Sequence, residues 1–544
     1  MEEIGRTQIT RVTAIAITTI FLAFIAIVMA SDLMVFLQKD AKPAEITASK
    51  SNHSPLPNWL LSLFEKNRHV MSHIRQIESN LEEHSKFSHF ARPIVQSTLA
   101  HFRESSGDVM IGKDGWLFYR PSLRFLTHPQ SPSQKISNTQ RGLNASAEVI
   151  SQFSNELSKR GIRLVIVPVW PKMSVHPEHF GAYANKQGIL KPDGYDTWLS
   201  EVESSGTLVF DPAPSILKAS STNAGIAYLK TDSHWNPTAM KTCAEDLAAY
   251  LIGKNLIQKG DLTPSFVPRT ISNKGDLARM MDLPENNTYF PAEEAELIEV
   301  REESGNRWTP KKDSPILLLG DSFSNIFSLR GMGWGEDAGF SEHLGAALGM
   351  RIDTILRNSD GASATRGILS RELSKGKDRL EGKKIVVWEF AASQLTEGDW
   401  LPFSYETIRP ATNEASFLEV KDQQTVHIKA TIAEIGDIPH PQSTVYADFV
   451  SYMILDDLVY DAANDTPHTK ALAYGLVMKN RQATPLADLR PGQTISATLH
   501  AWTQAENEFG RLQRGEPDGD AAFQPMNWIS DVELLHSGND PQAR

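Results

Sequence analysis

One cysteine, Cys243, stands in 544 residues, so no disulfide can form within the chain. Redox compartment therefore cannot be read from pairing. Cys243 lies four residues before Leu247 on one face of an expected helix and reads as a small buried hydrophobe. Positive charge is also short. Fifty-four Lys and Arg against 66 Asp and Glu leave a formal net charge of −12, which argues against nucleic acid as the main partner. A polyanionic ligand would need a locally basic groove, and a neutral or mixed one suits this charge at least as well. Internal repeats are absent. The Gly-rich stretch Arg330-Gly-Met-Gly-Trp-Gly335 lacks the Lys-Ser/Thr ending of a P-loop, although its backbone N–H groups could serve a site. No second cluster of His, Cys or carboxylates has ligand spacing, so no metal and no cofactor is expected.

What is present is globular. Hydrophobic residues make up 40% and charged residues 22% of the chain, and the length allows two or three domains with full cores. Residues 12–30 carry no charge and are long enough to cross a bilayer as a helix. Arg6 and Arg11 precede them, which puts the N-terminus in the cytoplasm and the body outside. The reading is a signal anchor over residues 1–31, with a cleaved signal peptide ending near Ala30 as the alternative. Residues 32–106 read as a linker followed by an amphipathic helical region, with Val70, Ile74, Ile77 and Leu81 at helical spacing.

Residues 107–401 alternate helix and strand signals, the pattern of an α/β parallel sheet flanked by helices. Lys113-Asp-Gly115 is a hairpin turn between short strands, and its aromatic residues either fill a core or stack on sugar. A helix is expected over residues 144–159 and a buried strand over 164–167, ending at Pro168. Lys172 follows as a solvated or structural charge. A further helix covers 196–203 and a strand 207–210. Asn236-Pro237 starts a helix, with Asn as cap and Pro at its first position. Residues 252–312 look irregular and charged, a lid or insert with a short helix near 277–284. Strands are expected over 316–319, 352–356 and 384–390, with helices over 340–348 and 364–373. The last strand is expected to close the sheet. From residue 402 onward the pattern turns to period two, with Val426, Ile428, Ala430 and Ile432, then Ile495, Ala497, Leu499 and Ala501. That predicts a small antiparallel β-domain over 402–544, a sandwich or a barrel, that binds carbohydrate or docks structurally. The stretch after Leu535 is expected to fray.

The chemistry concentrates in two stretches. The strand Ile316 to Leu319 runs into Gly320-Asp-Ser-Phe-Ser324, where an α/β sheet presents side chains to ligands. Ser322 occupies the place of a nucleophile. A hydroxyl nucleophile needs a base, and the base needs an orienting acid. Asp232 and His234 offer both, two residues apart and ahead of the expected helix.

The motifs Gly112-Lys-Asp-Gly-Trp-Leu-Phe-Tyr119, Thr231-Asp-Ser-His-Trp235, Gly320-Asp-Ser-Phe-Ser324 and Val386-Val-Trp-Glu-Phe390 together resemble the alginate O-acetyltransferase family. The resemblance spans roughly residues 107–400. It implies an SGNH-hydrolase-like fold and a periplasmic enzyme that acetylates exopolysaccharide through Ser322, His234 and Asp232. Asp and His precede Ser here, the permuted order of the acetyltransferases rather than that of ordinary SGNH esterases. The resemblance also implies an oxyanion hole, with Gly361 and Asn358 as loose matches. It implies a polysaccharide acceptor and a membrane-bound O-acyltransferase that delivers acetyl groups across the inner membrane. A carbohydrate acetylesterase with the same triad, a non-catalytic polysaccharide-binding or assembly protein and a metal-dependent hydrolase remain the alternatives.

Overall fold

Apolar runs without alternation need cover on both faces, and three such runs set the main sheet. In the computed structural model, the described residues are Thr19 and 86–535, except 106, 128–141, 181–187, 223–224, 285–286, 359–360, 375, 408–416, 437, 440–445, 461–467, 481, 511, 516, 518–520 and 522–523. The expected anchor at 12–30, apart from Thr19, the helical positions 70–81 and the residues after 535 lie outside them. Among the described residues no helix is long and apolar enough to cross a membrane. The described residues fall into two units. One contains the helix Lys86–His101 and the other is the body from Arg103 onward, without residues 282–286.

The body opens with a hairpin of β1 (Val109–Ile111) and β2 (Leu117–Tyr119), as the turn signal predicts. Its aromatic residues are core: Trp116 and Phe118 are buried, so of the motif's rings only Tyr119 keeps part of its surface exposed. Next come β3 (Arg163–Val169) and β4 (Leu208–Val209), then an antiparallel pair of β5 (Ser265–Asn273) and β6 (Glu293–Arg301). The strands β7 (Ile316–Gly320), β8 (Asp353–Leu356) and β9 (Ile385–Ala391) follow. The main sheet has the order β4-β3-β9-β7-β8, and every neighbouring pair is parallel.

Three expectations need correction. Strand β9 does not close the sheet. It lies in the middle between β3 and β7, where its apolar run is covered on both faces. Strand β3 does not stop at Pro168. Pro168 pairs in register with Phe390 and Val169 with Ala391. Residues 252–312 are not irregular, because β5 and β6 form a nine-residue ladder with the helix Asp276–Met280 between them. Charged residues on its exposed face hid the period of this hairpin.

The helices Leu143–Lys159, Tyr195–Ser204, Pro237–Gly253, Phe340–Leu348 and Ser363–Ser374 match the expected ones within a few residues. Ala213–Thr222 is a further helix with no sequence expectation. The side chain of Asn236 accepts from Ala239 N at 2.9 Å, so Asn caps the helix as expected. Cys243 is fully buried, and burial pushes its thiol pKa well up.

One apolar core runs from Met110 to Tyr405 and a second from Leu418 to Ile529. The second belongs to β10 (Thr425–Ile435), β11 (Phe449–Val459), β12 (Ala471–Lys479), β13 (Gln482–Ala483), β14 (Thr494–Ala501) and β15 (Met526–Leu534). Strands β11-β10-β14-β15-β12 pair in that order, and β11 pairs again with β12, so five strands close into a barrel. Closure removes sheet edges. Ile428, Ala430, Ile432, Ile495, Ala497 and Leu499 point inward, as the period of two predicts. Strand β12 is apolar on both faces because Leu472 and Tyr474 pack outward on Leu329 and Met332, which follow β7.

At the edge of the main sheet, Asp353 on β8 is an ion-pair hub. Its oxygens lie 2.6 Å from Arg379 Nη2 and 2.9 Å from Lys383 Nζ, and Asp353 and Lys383 have almost no exposed side-chain surface. Asp353→Ala takes the carboxylate from buried Lys383, which keeps two carbonyl acceptors, and leaves Arg379 paired with Glu372; breaking such a buried pair costs about 3–5 kcal/mol. Urea unfolding is expected to show a lower midpoint and a loss of unfolding free energy of that size, and an unchanged midpoint would show that the pairing contributes nothing.

Candidate active site

The carboxyl ends of β3, β7 and β9 and the loop before the helix Pro237–Gly253 meet at one place. Strand β7 ends at Gly320, and Asp321 turns the chain into the short helix Ser322–Asn325. Asp321 caps that helix by accepting from Phe323 N at 2.8 Å. The capping job falls to Asp321, which leaves the Ser322 hydroxyl for other work.

The loop from Tyr228 to Trp235 is a closed turn. Tyr228 and Trp235 form an antiparallel bridge, and Leu229 N donates to His234 O at 3.2 Å. Within it His234 Nδ1 lies 2.6 Å from Asp232 Oδ1, and His234 Nε2 lies 2.8 Å from Ser322 Oγ. His234 N also donates to Asp232 Oδ1, at 3.1 Å. The structure thus joins the three sequence candidates in one hydrogen-bonded line. Trp235 Nε1 donates to Phe323 O at 3.1 Å and latches the base loop to the nucleophile turn.

Asp232 and His234 are buried, while Ser322 keeps part of its surface exposed. Burial alone would raise the Asp232 carboxyl. The hydrogen bond and charge of His234, with the N–H groups of Trp334 and Asp276, hold it below its ordinary value. Burial disfavours the His234 imidazolium, yet Asp232, Asp276 and Asp321 together raise its pKa above the ordinary histidine value. This is the electrostatic arrangement of a general base held in one tautomer by a carboxylate.

Sequence reasoning missed the groups that hold Asp232. Its Oδ2 accepts from Trp334 Nε1 at 2.8 Å and from Asp276 N at 3.0 Å. Trp334 comes from the Gly-rich stretch, which supplies an indole N–H to the acid. Gly333 has φ +84°, and a Cβ there would meet Asn273 Nδ2 at 2.7 Å. The β5–β6 hairpin grips the same loop from another side. Glu293 accepts from Lys230 N, Thr231 N and Thr231 Oγ1 at 2.9, 2.9 and 2.6 Å. Gly275 lies so close that a Cβ would meet Thr231 O at 2.2 Å. The signal available in the sequence was Gly275-Asp276 opening a short helix inside the charged insert.

Lys172 is buried rather than solvated. Its ammonium donates to Leu117 O at 2.7 Å and Lys230 O at 2.9 Å, and it lies over the Trp116 and Phe118 rings. Burial pulls its pKa down to about 8 against the opposing charges of Asp232, Glu293 and Asp276. It ties the base loop to the β1–β2 hairpin. Beneath the nucleophile lies a second acid pair. Glu389 Oε2 accepts from Ser324 Oγ at 2.6 Å and Asp321 N at 3.1 Å. Burial and the Asp321 charge push the Glu389 pKa well up, which favours its neutral form beside Asp321.

Asn358 is buried, its Oδ1 accepting from Asn325 Nδ2 at 2.8 Å and its Nδ2 set 3.2 Å from Met332 Sδ. Gly361 has φ +70° and sits against Gln394. Neither carries a hydrogen bond to Ser322 in this state. The sequence also passed over one cluster, since His176, Glu178 and His179 come together at ligand range. His176 Nε2 accepts from Ala227 N at 3.0 Å, which places the ring proton on Nδ1, facing Glu178 Oε1 at 3.0 Å. That tautomer leaves Nδ1 no lone pair for a metal.

A parallel sheet that presents a serine at a strand end, with the base on a preceding loop, defines an SGNH-hydrolase-like α/β protein. The chain belongs to the family described as SGNH hydrolase-like domain, acetyltransferase AlgX, whose model matches residues 109–392. The probable alginate O-acetylase AlgJ of Pseudomonas aeruginosa is 24% identical over 321 residues, covering 55% of this chain and 75% of that protein. Its counterpart in Pseudomonas syringae pv. tomato is 27% identical over 310 residues, covering 54% and 71%. The solved O-acetyltransferase domain of Pseudomonas putida AlgJ superimposes with a TM-score of 0.42 at 21% identity, over 53% of this chain and 91% of that one.

Trp334→Phe removes one donor from a buried carboxylate and keeps an aromatic ring in place. A hydrogen bond to a charged group is worth about 1.5–3 kcal/mol, so turnover of an acetyl ester is expected to fall tenfold or more with the fold retained. Unchanged turnover would show that the indole does not hold the acid. For Glu389, replacement by Gln is expected to keep most turnover because the raised pKa favours the neutral form, whereas Glu389→Ala loses the support of Ser324. Equal losses in the two variants would contradict that protonation state.

Proposed function

We propose that the chain is a polysaccharide O-acetyltransferase that moves acetyl groups onto sugar hydroxyls of an exported or cell-envelope polysaccharide through an acetyl-Ser322 intermediate. The observation that carries this reading is the continuous line Asp232–His234–Ser322, formed within the acetyltransferase family domain. His234 takes the Ser322 proton as Oγ bonds to the acetyl carbonyl carbon. The tetrahedral intermediate collapses, and the donor's leaving group departs with that proton. A sugar hydroxyl then attacks the acetyl-enzyme while His234 removes its proton, and that proton returns to Ser322 as the sugar ester leaves. The oxyanion is assigned to backbone N–H groups at Ser322 and Gly361, with Asn358 as an alternative donor after its amide leaves Met332. Such a donor is worth roughly 2.7–4 kcal/mol.

In this reading the body of the protein is periplasmic, and residues 12–30 anchor it in the inner membrane. The donor acetyl group arrives from a membrane-bound O-acyltransferase. The relatives' names contain alginate, and the net charge of −12 makes a neutral or mixed polysaccharide an equal candidate.

The test mixes the protein with an activated acetyl ester, with and without oligosaccharides, and follows enzyme mass and products. A transient acetyl adduct that drains onto sugar and is lost in Ser322→Ala is the expected result. Drainage only to water would favour an acetylesterase, and no adduct would favour a non-catalytic binding role.

Only neutral His234 can act as base, and its pKa is raised in the fold. Activity is therefore expected to rise with pH along a limb above the ordinary histidine value of about 6.5. A limb below that value would contradict the raised pKa.

A further inference from the structure

His234 faces two carboxylates, and only one of them belongs to the triad. Asp276 Oδ2 lies 3.7 Å from His234 Nδ1, with its side chain mostly buried. It is built into place. Its Oδ1 accepts from Ser233 N at 2.7 Å and Leu277 N at 2.6 Å, and its Oδ2 accepts from Ser233 Oγ at 2.5 Å. Ser233 Oγ also lies 3.3 Å from His234 Nδ1, so one hydroxyl touches both groups. The backbone N–H of Asp276 meanwhile binds the acid of the triad. Ser233 is the residue between Asp232 and His234, and its side chain and N–H both serve to carry Asp276 to the imidazole.

We propose that Asp276 is a positioning residue for the acyl-transfer reaction, a second carboxylate that stabilises the His234 imidazolium and holds the Asp232–His234 turn in its reactive shape. The proposal rests on His234 acting as the base for Ser322. The charged and titratable groups that interact with Asp276 are Asp232 and His234 on the turn, Lys172 after β3, Arg279 on its own helix and Tyr119 on β2. Burial and Asp232 raise Asp276 to about 6. Above that value it is ionised, and its charge adds to that of Asp232 at the imidazole. The sign is set by that charge. Removing it makes the imidazolium less stable, so His234 loses its proton at lower pH and becomes a weaker base.

The test follows sulfonylation of Ser322 by phenylmethanesulfonyl fluoride in the whole protein, by intact mass, across pH. This reads the base without needing the polysaccharide or the acetyl donor. In wild type the labelling rate rises with pH along the His234 limb. In Asp276→Asn the limb is expected about one pH unit lower, and the plateau rate about tenfold lower. Asp276→Glu, which keeps the charge, is expected to restore the limb towards wild type. A lower plateau with the limb unmoved would reduce Asp276 to a structural brace and overturn the proposal. Ser233→Ala removes the hydroxyl from Asp276 Oδ2 without deleting the carboxylate, and a smaller shift in the same direction is expected. If Asp276→Asn fails to fold, an unmoved limb in Ser233→Ala overturns the proposal. Absence of labelling in wild type would overturn the Ser322–His234 reading itself, and this inference with it. Normal wild-type labelling with no sugar acetylation would leave the Asp276 result standing while contradicting the transferase.

Discussion

A buried carboxylate must find a hydrogen-bond donor for each of its lone pairs, and the site is arranged around satisfying Asp232. Two donors come from His234 itself, the ring and the backbone N–H, on one oxygen. The other oxygen is met by the Trp334 indole and the Asp276 backbone N–H. A charge left unpaired at this depth would cost several kcal/mol. The chain therefore brings together a turn, the loop after the nucleophile and an inserted hairpin that are far apart in sequence. The imidazole is aimed at Ser322 as a consequence, because its Nδ1 is held on Asp232 Oδ1.

The hairpin is the less obvious part of this arrangement. Strands β5 and β6 lie apart from the main sheet, and their contribution is made through the first residue of β6 and the residues between the strands. Glu293 anchors Lys230 and Thr231, Gly275 allows backbone to touch backbone, and Asp276 reaches the base. Lys172 completes the enclosure by holding the carbonyl of Lys230. The Tyr228–Trp235 loop is thus gripped from both sides along its backbone, and the His234 imidazole is left to face Ser322. That division explains why so many polar groups around the site bond main chain rather than each other.

The parallel sheet was legible because its strands are apolar runs between helices, a pattern that burial on two faces imposes. The hydrogen-bonded line was legible because its members are local signals, a serine after a strand and Asp and His two residues apart. Strand order was not legible, since β9 enters between β3 and β7 by tertiary fit that no local period records. The hairpin escaped because its exposed face is charged and its buried contacts are few. Trp334, Asp276 and Glu293 escaped for a different reason. Each acts through a partner distant in sequence, and nothing in its own neighbourhood announces that partner. Between sandwich and barrel, periodicity is silent, because both bury alternate residues. The second pairing of β11 with β12 decides it.

Leu329 and Met332 sit between the nucleophile and Trp334 in the chain, and both pack on the outer face of the barrel. Arg357, just past β8, donates to Arg514 O at 2.9 Å across the same boundary. The segment that delivers the indole to Asp232 therefore has the barrel as its floor. The two modules are consequently poor candidates for independent shuffling between proteins. A sheet domain that exchanged this barrel for another would keep its serine, base and acid, yet lose the surface that keeps the acid's outer oxygen occupied.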